Sequence, residues 1–289
     1  MSETTPKNAI VVGVDGSAGS DAAIRWAAGE AMLRAAPIIL VHVVAPLVVA
    51  WPVGRIQGNI RQWQHDNALR VVEQARKTLE ANLTGSSHPG VHTRLLYSNV
   101  VAALVEESRQ ALLTVVACRR HSEFDRLLLG SASMGLLHHG HGPIAIVHAE
   151  GTPAADAPVL VGIEGSPASE AATAHAFDEA SRRGVDLVAL HACSDVGIFT
   201  EDWPEHENQG RKFLTERLAS WQQQYPDVQV HRRVVRDNPA HWLRQESEHS
   251  QVVVVGSHGR GGFAGMLLGS VSSAVAQSAK VPVIVVRPR

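Results

Sequence analysis

Three glycines and a serine near the C-terminus, Gly256, Gly259, Gly269 and Ser270, have the clearest chemical potential in this sequence. They lie in the stretch GSHGRGGFAGMLLGS, after the apolar run Gln251–Val255 and before Val271–Lys280, whose pattern predicts a short helix. A glycine-rich loop between a buried strand and a helix offers bare backbone N–H groups and a helix N-terminus, which together hold phosphate. Glycine lets backbone approach a ligand where a Cβ would collide. Ser270 is expected to cap the helix and to offer a hydroxyl to phosphate. By itself such a loop also reads as an ordinary turn. The second chemical feature is acidic: Asp15 and Glu164 each end an apolar run, in VGVDGS and VGIEGS.

The elements that must position these residues occur twice. Ile10–Val44 aligns without a gap on Val159–Cys193: Gly13 meets Gly162, Asp15 meets Glu164, Ser20 meets Ser169 and His42 meets His191. Gly130-Ser131 likewise meet Gly269-Ser270, and Pro143 meets Pro282. Two homologous domains follow, 1–150 and 151–289, joined through AEGTPAADAP at 149–158, which has linker composition.

Within each half, short apolar runs alternate with helical patterns. The first half predicts strands at 10–15, 37–44, 91–97, 112–117 and 144–148, and helices at 20–35, 60–83 and 100–110, with Ser20 as an N-cap and 46–58 irregular around Trp51. The second predicts strands at 158–163, 185–192, 228–235, 251–255 and 283–286. Strands alternating with helices imply a parallel sheet covered on both faces. Ligands of such sheets sit beyond the carboxyl ends of the strands, where strand order reverses. The acidic residue follows the first strand and the glycine loop follows the fourth. If those strands are neighbours, a carboxylate and a phosphate loop face opposite parts of one ligand, as a nucleotide requires.

Composition narrows the function classes. The chain has 289 residues, 45% of them hydrophobic, enough for two domains with substantial cores. A net charge of −2 offers no bulk attraction to nucleic acid or anionic lipid, and only 4% aromatics argues against a base-stacking platform. The first residues, 1–8, are polar without signal-peptide character, and no apolar run has membrane-spanning length. Cys118 and Cys193 lie in or beside apolar runs and read as buried thiols of a reducing compartment. A cytoplasmic protein is the expectation.

The full pattern, Gly256, two residues, Gly259, nine residues, Gly269 and Ser270, together with VGVDGS at 12–17, resembles the ATP-binding subgroup of the universal stress protein family in its tandem-domain form. The resemblance covers essentially the whole chain. It implies an α/β fold of two Rossmann-like domains, each a five-stranded parallel sheet of order 3-2-1-4-5 with helices on both faces. It implies ATP, with or without Mg²⁺, in the crevice between strands one and four. It also implies pairing of the domains through their fifth strands, a further homodimer, and a role as a nucleotide-dependent regulator of stress survival.

Residue by residue, the resemblance assigns Gly256, Gly259, Gly269, Ser270 and Val271 to phosphates and ribose, Ala192 to the adenine side, and Val255 to the strand end beside them. Glu164 stands where the family has aspartate, so it must fold back or shift the ligand. In the first domain Asp15, Val43, Gly130 and Ser131 match, but Ala117 and Arg120 occupy glycine positions. Ala117 would add a Cβ at a close approach, and Arg120 would resist a left-handed φ. Arg119 or Arg120 could instead meet phosphate by charge. The expectation is binding in the second domain and weak or no binding in the first.

Other residues are read as structural. His138, His139 and His141 sit at a helix end without acidic or cysteine partners in sequence, so no metal site is expected. His42 and His191 read as core histidines, and His258 as a loop residue facing phosphate or water. No lysine follows Gly269 as a P-loop requires, and neither GxSxG nor HExxH occurs. The sequence supports binding with at most weak ATP hydrolysis; a scaffold with degenerate sites is the alternative.

Overall fold

Runs of valine, isoleucine and leucine form the strands, because central strands of a parallel sheet are buried on both faces. The computed structural model of the protein describes residues 8–46, 54–83, 90–118, 129–148, 153–193, 203–259 and 267–288, with the backbone alone for 54–60. The chain divides into two compact units, one of residues up to 119 with 130–149, the other from 150 on.

The first unit runs β1 (Ile10–Gly13), α1 (Ala18–Arg34), β2 (Ile38–Val44), α2 (Gly54–Glu80), β3 (Val91–Tyr97), α3 (Val100–Ser108), β4 (Leu113–Ala117), α4 (Ser131–His139) and β5 (Ile144–Val147). The second runs β6 (Val159–Gly162), α5 (Pro167–Arg183), β7 (Leu187–Cys193), α6 (Trp203–Gln224), β8 (Val230–Arg236), α7 (Pro239–Ser247), β9 (Val252–Gly256), α8 (Ser270–Ser278) and β10 (Val283–Val286). All the strand pairs within a unit are parallel. The order is β3-β2-β1-β4-β5 in the first and β8-β7-β6-β9-β10 in the second. The strand order therefore reverses between β1 and β4, and again between β6 and β9.

Small residues let the helices lie close on the sheets. Ala23, Ile24, Ala27, Ala28 and Ala31 of α1 are buried, as are Ala168, Ala172, Ala176, Phe177 and Ala180 of α5. Phe177 is fully buried and stacks on Trp221 and Tyr225. Burial of such a side chain stabilises by about 1.5–3 kcal/mol. Among the described residues no helix is long and apolar enough to cross a membrane.

Helix starts differ from the sequence reading in three places. Ser17, not Ser20, is the N-cap of α1, its hydroxyl accepting the Ser20 N–H at 3.2 Å. Ser20 lies one turn inside, and its buried hydroxyl accepts the Asp15 N–H at 3.3 Å. Gly269, not Ser270, is the N-cap of α8, and no side chain caps it. The long helix α2 starts at Gly54, six residues before the expected Ile60. Trp51, Arg119 and Arg120 lie outside the described residues.

Candidate functional site

In the second unit, β6 and β9 end side by side, and each delivers one half of a site. After β6 the chain turns through Glu164-Gly165-Ser166 into α5. Gly165 has φ +86°, a left-handed value that glycine adopts without strain; its counterpart Gly16 has +78°. Ser169, one turn into α5, accepts the N–H groups of Glu164 at 3.0 Å and Gly165 at 3.3 Å. Ser166 caps α5 by accepting the Ser169 N–H at 3.2 Å. The Ser166 hydroxyl also donates to the carbonyl of His258 at 3.2 Å, tying the acidic turn to the glycine loop.

After β9 the glycines divide their work. A Cβ on Gly256 would lie 2.7 Å from the backbone carbon of Ala168, so this glycine serves close packing of β9 on α5. Among the described residues, the nearest atoms to a Cβ on Gly259 belong to Glu164, at 3.5 Å, an ordinary contact. A Cβ on Gly269 would come within 3.2 Å of the His258 Cα. The loop ends are pinned by the Gly269 N–H donating to Ser257 O at 2.7 Å, and by the Ser272 hydroxyl donating to Gly256 O. The first turn of α8 then presents backbone N–H groups that no side chain caps. Residues 260–266, the middle of the loop, lie outside the described residues.

Glu164 folds back, as its extra methylene requires. Its Oε1 accepts the Ser166 N–H at 3.2 Å. Asp15 makes the shorter version of this turn, taking both the Ser17 N–H at 3.0 Å and the Ser17 hydroxyl at 2.6 Å. In the second unit the serine hydroxyl is thereby released to hold the His258 carbonyl.

Together these parts line a cavity of about 790 Å³ at the carboxyl ends of β6, β7 and β9. The sequence-derived residues Glu164, Ala192, Val255, Gly256, Gly259, Gly269, Ser270 and Val271 all line it. Sequence reasoning missed the opposite wall, built from His206, Gln209, Gly210 and Phe213 of α6 and from Asp237 and Pro239 before and in α7. Nothing in the types or spacing of the α6 residues signals a site. The Asp237-Asn238-Pro239 turn is more legible: Asp237 and Asn238 both have left-handed φ, +45° and +42°, and Asn238 caps α7.

His191 also belongs to the cavity rather than to the core. Its Nδ1 pairs with the Ile163 carbonyl at 2.7 Å, and its ring lies 4.5 Å from that of Phe213. A period-two strand reading places it beside buried neighbours but does not show that the strand end opens on a crevice. His42 makes the equivalent contact with Val14 O, at 2.7 Å.

In the first unit, Asp15 follows β1, Val43 lies in β2, Gly130 is the N-cap of α4 and Ser131 its first residue. Two objections to this unit change. Ala117, in the place of Gly256, does not have its methyl at a ligand: it lies against α1, where a Cβ on Gly19 would be 3.3 Å from it. Gly19 stands where the second unit has Ala168, so the two units exchange which partner carries the Cβ. The argument against Arg120 from left-handed φ also lapses, because Gly259, its counterpart, is absent from the positive-φ residues, whose glycines are Gly16, Gly142, Gly165 and Gly184 among the described residues. His138, His139 and His141 form no cluster of three metal-binding groups, and none occurs among the described residues.

The universal stress protein family model matches residues 8–148 and again 157–287. A universal stress protein of Mycolicibacterium smegmatis is 54% identical over all of both chains. One of Mycobacterium tuberculosis is 47% identical over 99% of each. The crystal structure of a universal stress protein from Archaeoglobus fulgidus superposes with a TM-score of 0.72 at 21% identity, covering 97% of this chain and 96% of that one, which is a likeness of fold. With the family model matched in both halves and full-length relatives near half identity, the chain belongs to the universal stress protein family, in a tandem form with two such domains.

Proposed function

We propose that the second unit binds an adenine nucleotide, ATP with or without Mg²⁺, and that the protein acts as a nucleotide-dependent regulator rather than a metabolic enzyme. The observation that carries this is the cavity at the β6/β9 reversal, with glycine backbone and the start of α8 on one side and an aromatic, partly apolar wall on the other. Uncapped N–H groups and a helix dipole favour a phosphate chain. The wall of Leu190, Ala192 and Phe213 suits a flat base. Gly259 supports the fit, since it brings bare backbone to the cavity beside Glu164, which a Cβ there would touch at 3.5 Å. Glu164 and Asp237 are the carboxylates that would face ribose or a metal bound to the phosphates. The residues bind and orient; hydrolysis, if it occurs, is slow. We place the protein in the cytoplasm on the same reading.

The test is the nucleotide content of the freshly purified protein, read by mass spectrometry after denaturation, with a thermal shift in ATP and Mg²⁺. Co-purified adenine nucleotide, or a rise in Tm with ATP, is expected. Protein free of nucleotide that shows no shift would favour a scaffold role instead.

A further inference from the structure

We propose that Arg287 is a positioning residue for the glycine loop: it holds the arm of the loop that returns to α8, so that the first turn of α8 meets phosphate in a fixed place. The inference rests on the reading of the second unit as a nucleotide site. The loop leaves β9 at Gly256 and re-enters regular structure at Ser270. Fixing a free segment costs conformational entropy at every residue. Where the ends of the loop are already held, less of that cost falls on the ligand.

The outgoing arm is held by backbone and by Ser166. The Ser257 N–H donates to the Val286 carbonyl at 2.9 Å, and the Ser166 hydroxyl donates to the His258 carbonyl at 3.2 Å. The returning arm is tied at two points. The Gly269 N–H donates to Ser257 O at 2.7 Å, and a terminal guanidinium nitrogen of Arg287 donates to Leu267 O at 2.6 Å. Arg287 reaches this carbonyl because β10 runs beside β9: Val286 is in register with Gly256, which puts the next residue at the root of the loop. Leu267 stands two residues before the N-cap Gly269, with buried Leu268 between them. The bond thus fixes the peptide that leads into the N–H groups at the start of α8.

Charge makes this tie a firm one. Arginine keeps its charge in proteins, and a hydrogen bond from an ionised donor is about twice as strong as a neutral one. Arg287 is also half-buried, and burial lowers its pKa from the ordinary arginine value. The same loss of solvent strengthens its bond to the carbonyl. Arg287 itself does not line the cavity, so it acts through the loop. The device is particular to the second unit: counting from Pro143 and Pro282, His148 stands in the place of Arg287.

Arg287→Met keeps the apolar stem and removes the donor, whereas Arg287→Lys keeps the charge and a donor. Titration of the full chain with ATP and Mg²⁺, paired with hydrogen exchange of the unliganded proteins, tests the role. Arg287→Met is expected to weaken ATP binding about tenfold, as loss of one hydrogen bond would. It is also expected to speed amide exchange at 257–271 while β6, β7 and β9 exchange as in wild type. Arg287→Lys is expected to fall between the two. Wild-type affinity in Arg287→Met would overturn the inference and leave the nucleotide reading standing. Faster exchange spread through the strands of the second unit would overturn it too, because Arg287 would then support the core. Weaker binding without faster exchange at 257–271 would make Arg287 a ligand contact and overturn it as well. A wild type that binds no ATP would overturn the nucleotide reading itself, and this inference with it.

Discussion

At the scale of single residues, the glycines of the loop have separable roles, and substitution should separate them. Gly259 lines the cavity, where a Cβ would stand at an ordinary contact distance of 3.5 Å from Glu164, so Gly259→Leu adds its side chain at the cavity wall. It is expected to weaken ATP binding by at least about tenfold, as a lost contact of 1.4 kcal/mol would, with Tm nearly unchanged in a melt without nucleotide. Gly256→Ala does the reverse first: its Cβ collides with backbone of α5, and overpacking of this kind costs about 1–3 kcal/mol. Denaturant unfolding should show that loss. Burial pushes the Cys118 thiol up to about 11. Between its ordinary value of 9.0 and that value, the unfolded chain has released the proton that the folded chain keeps, so this group's contribution to stability is present below pH 9 and is lost as pH rises towards 11. Thiol labelling at neutral pH should accordingly be slower at buried Cys118 than at half-buried Cys193.

At the scale of elements, helix starts carry the differences between the repeats. Asn238 caps α7 from a left-handed φ of +42°, whereas Asn99 caps α3 from −63°. Asn238→Ala loses a cap and adds left-handed strain, for an expected cost of about 2–3 kcal/mol; Asn99→Ala loses the cap alone, about 1 kcal/mol. Equal losses in urea melts would contradict the assignment. The strands were legible because valine runs such as 252–255 have one stable use in a protein of this size. The caps were less so: Ser17 and Ser20 are equally good N-cap types, and only the turn after β1 decides between them. The glycine loop and acidic turn were legible by type and spacing. The α6 wall was not, because its members share no chemistry and reach the cavity only through the way the helix packs on β7 and β8.

At the scale of the whole molecule, duplication supplies two copies of one fold whose side chains differ at equivalent positions. Glu164 for Asp15 and Gly256 for Ala117 both distinguish the second unit at equivalent positions. We propose in addition that the chain forms a homodimer; light scattering at about twice the chain mass is the expected outcome, and the monomer mass would contradict it. The central claim is that the β6/β9 crevice holds ATP through the glycine loop. Calorimetric titration of the full chain with ATP and Mg²⁺, alongside Gly259→Leu, tests it most directly. Saturable binding by wild type that is lost in the variant is the predicted result; absence of heat with wild type, or equal affinity in both proteins, would contradict it.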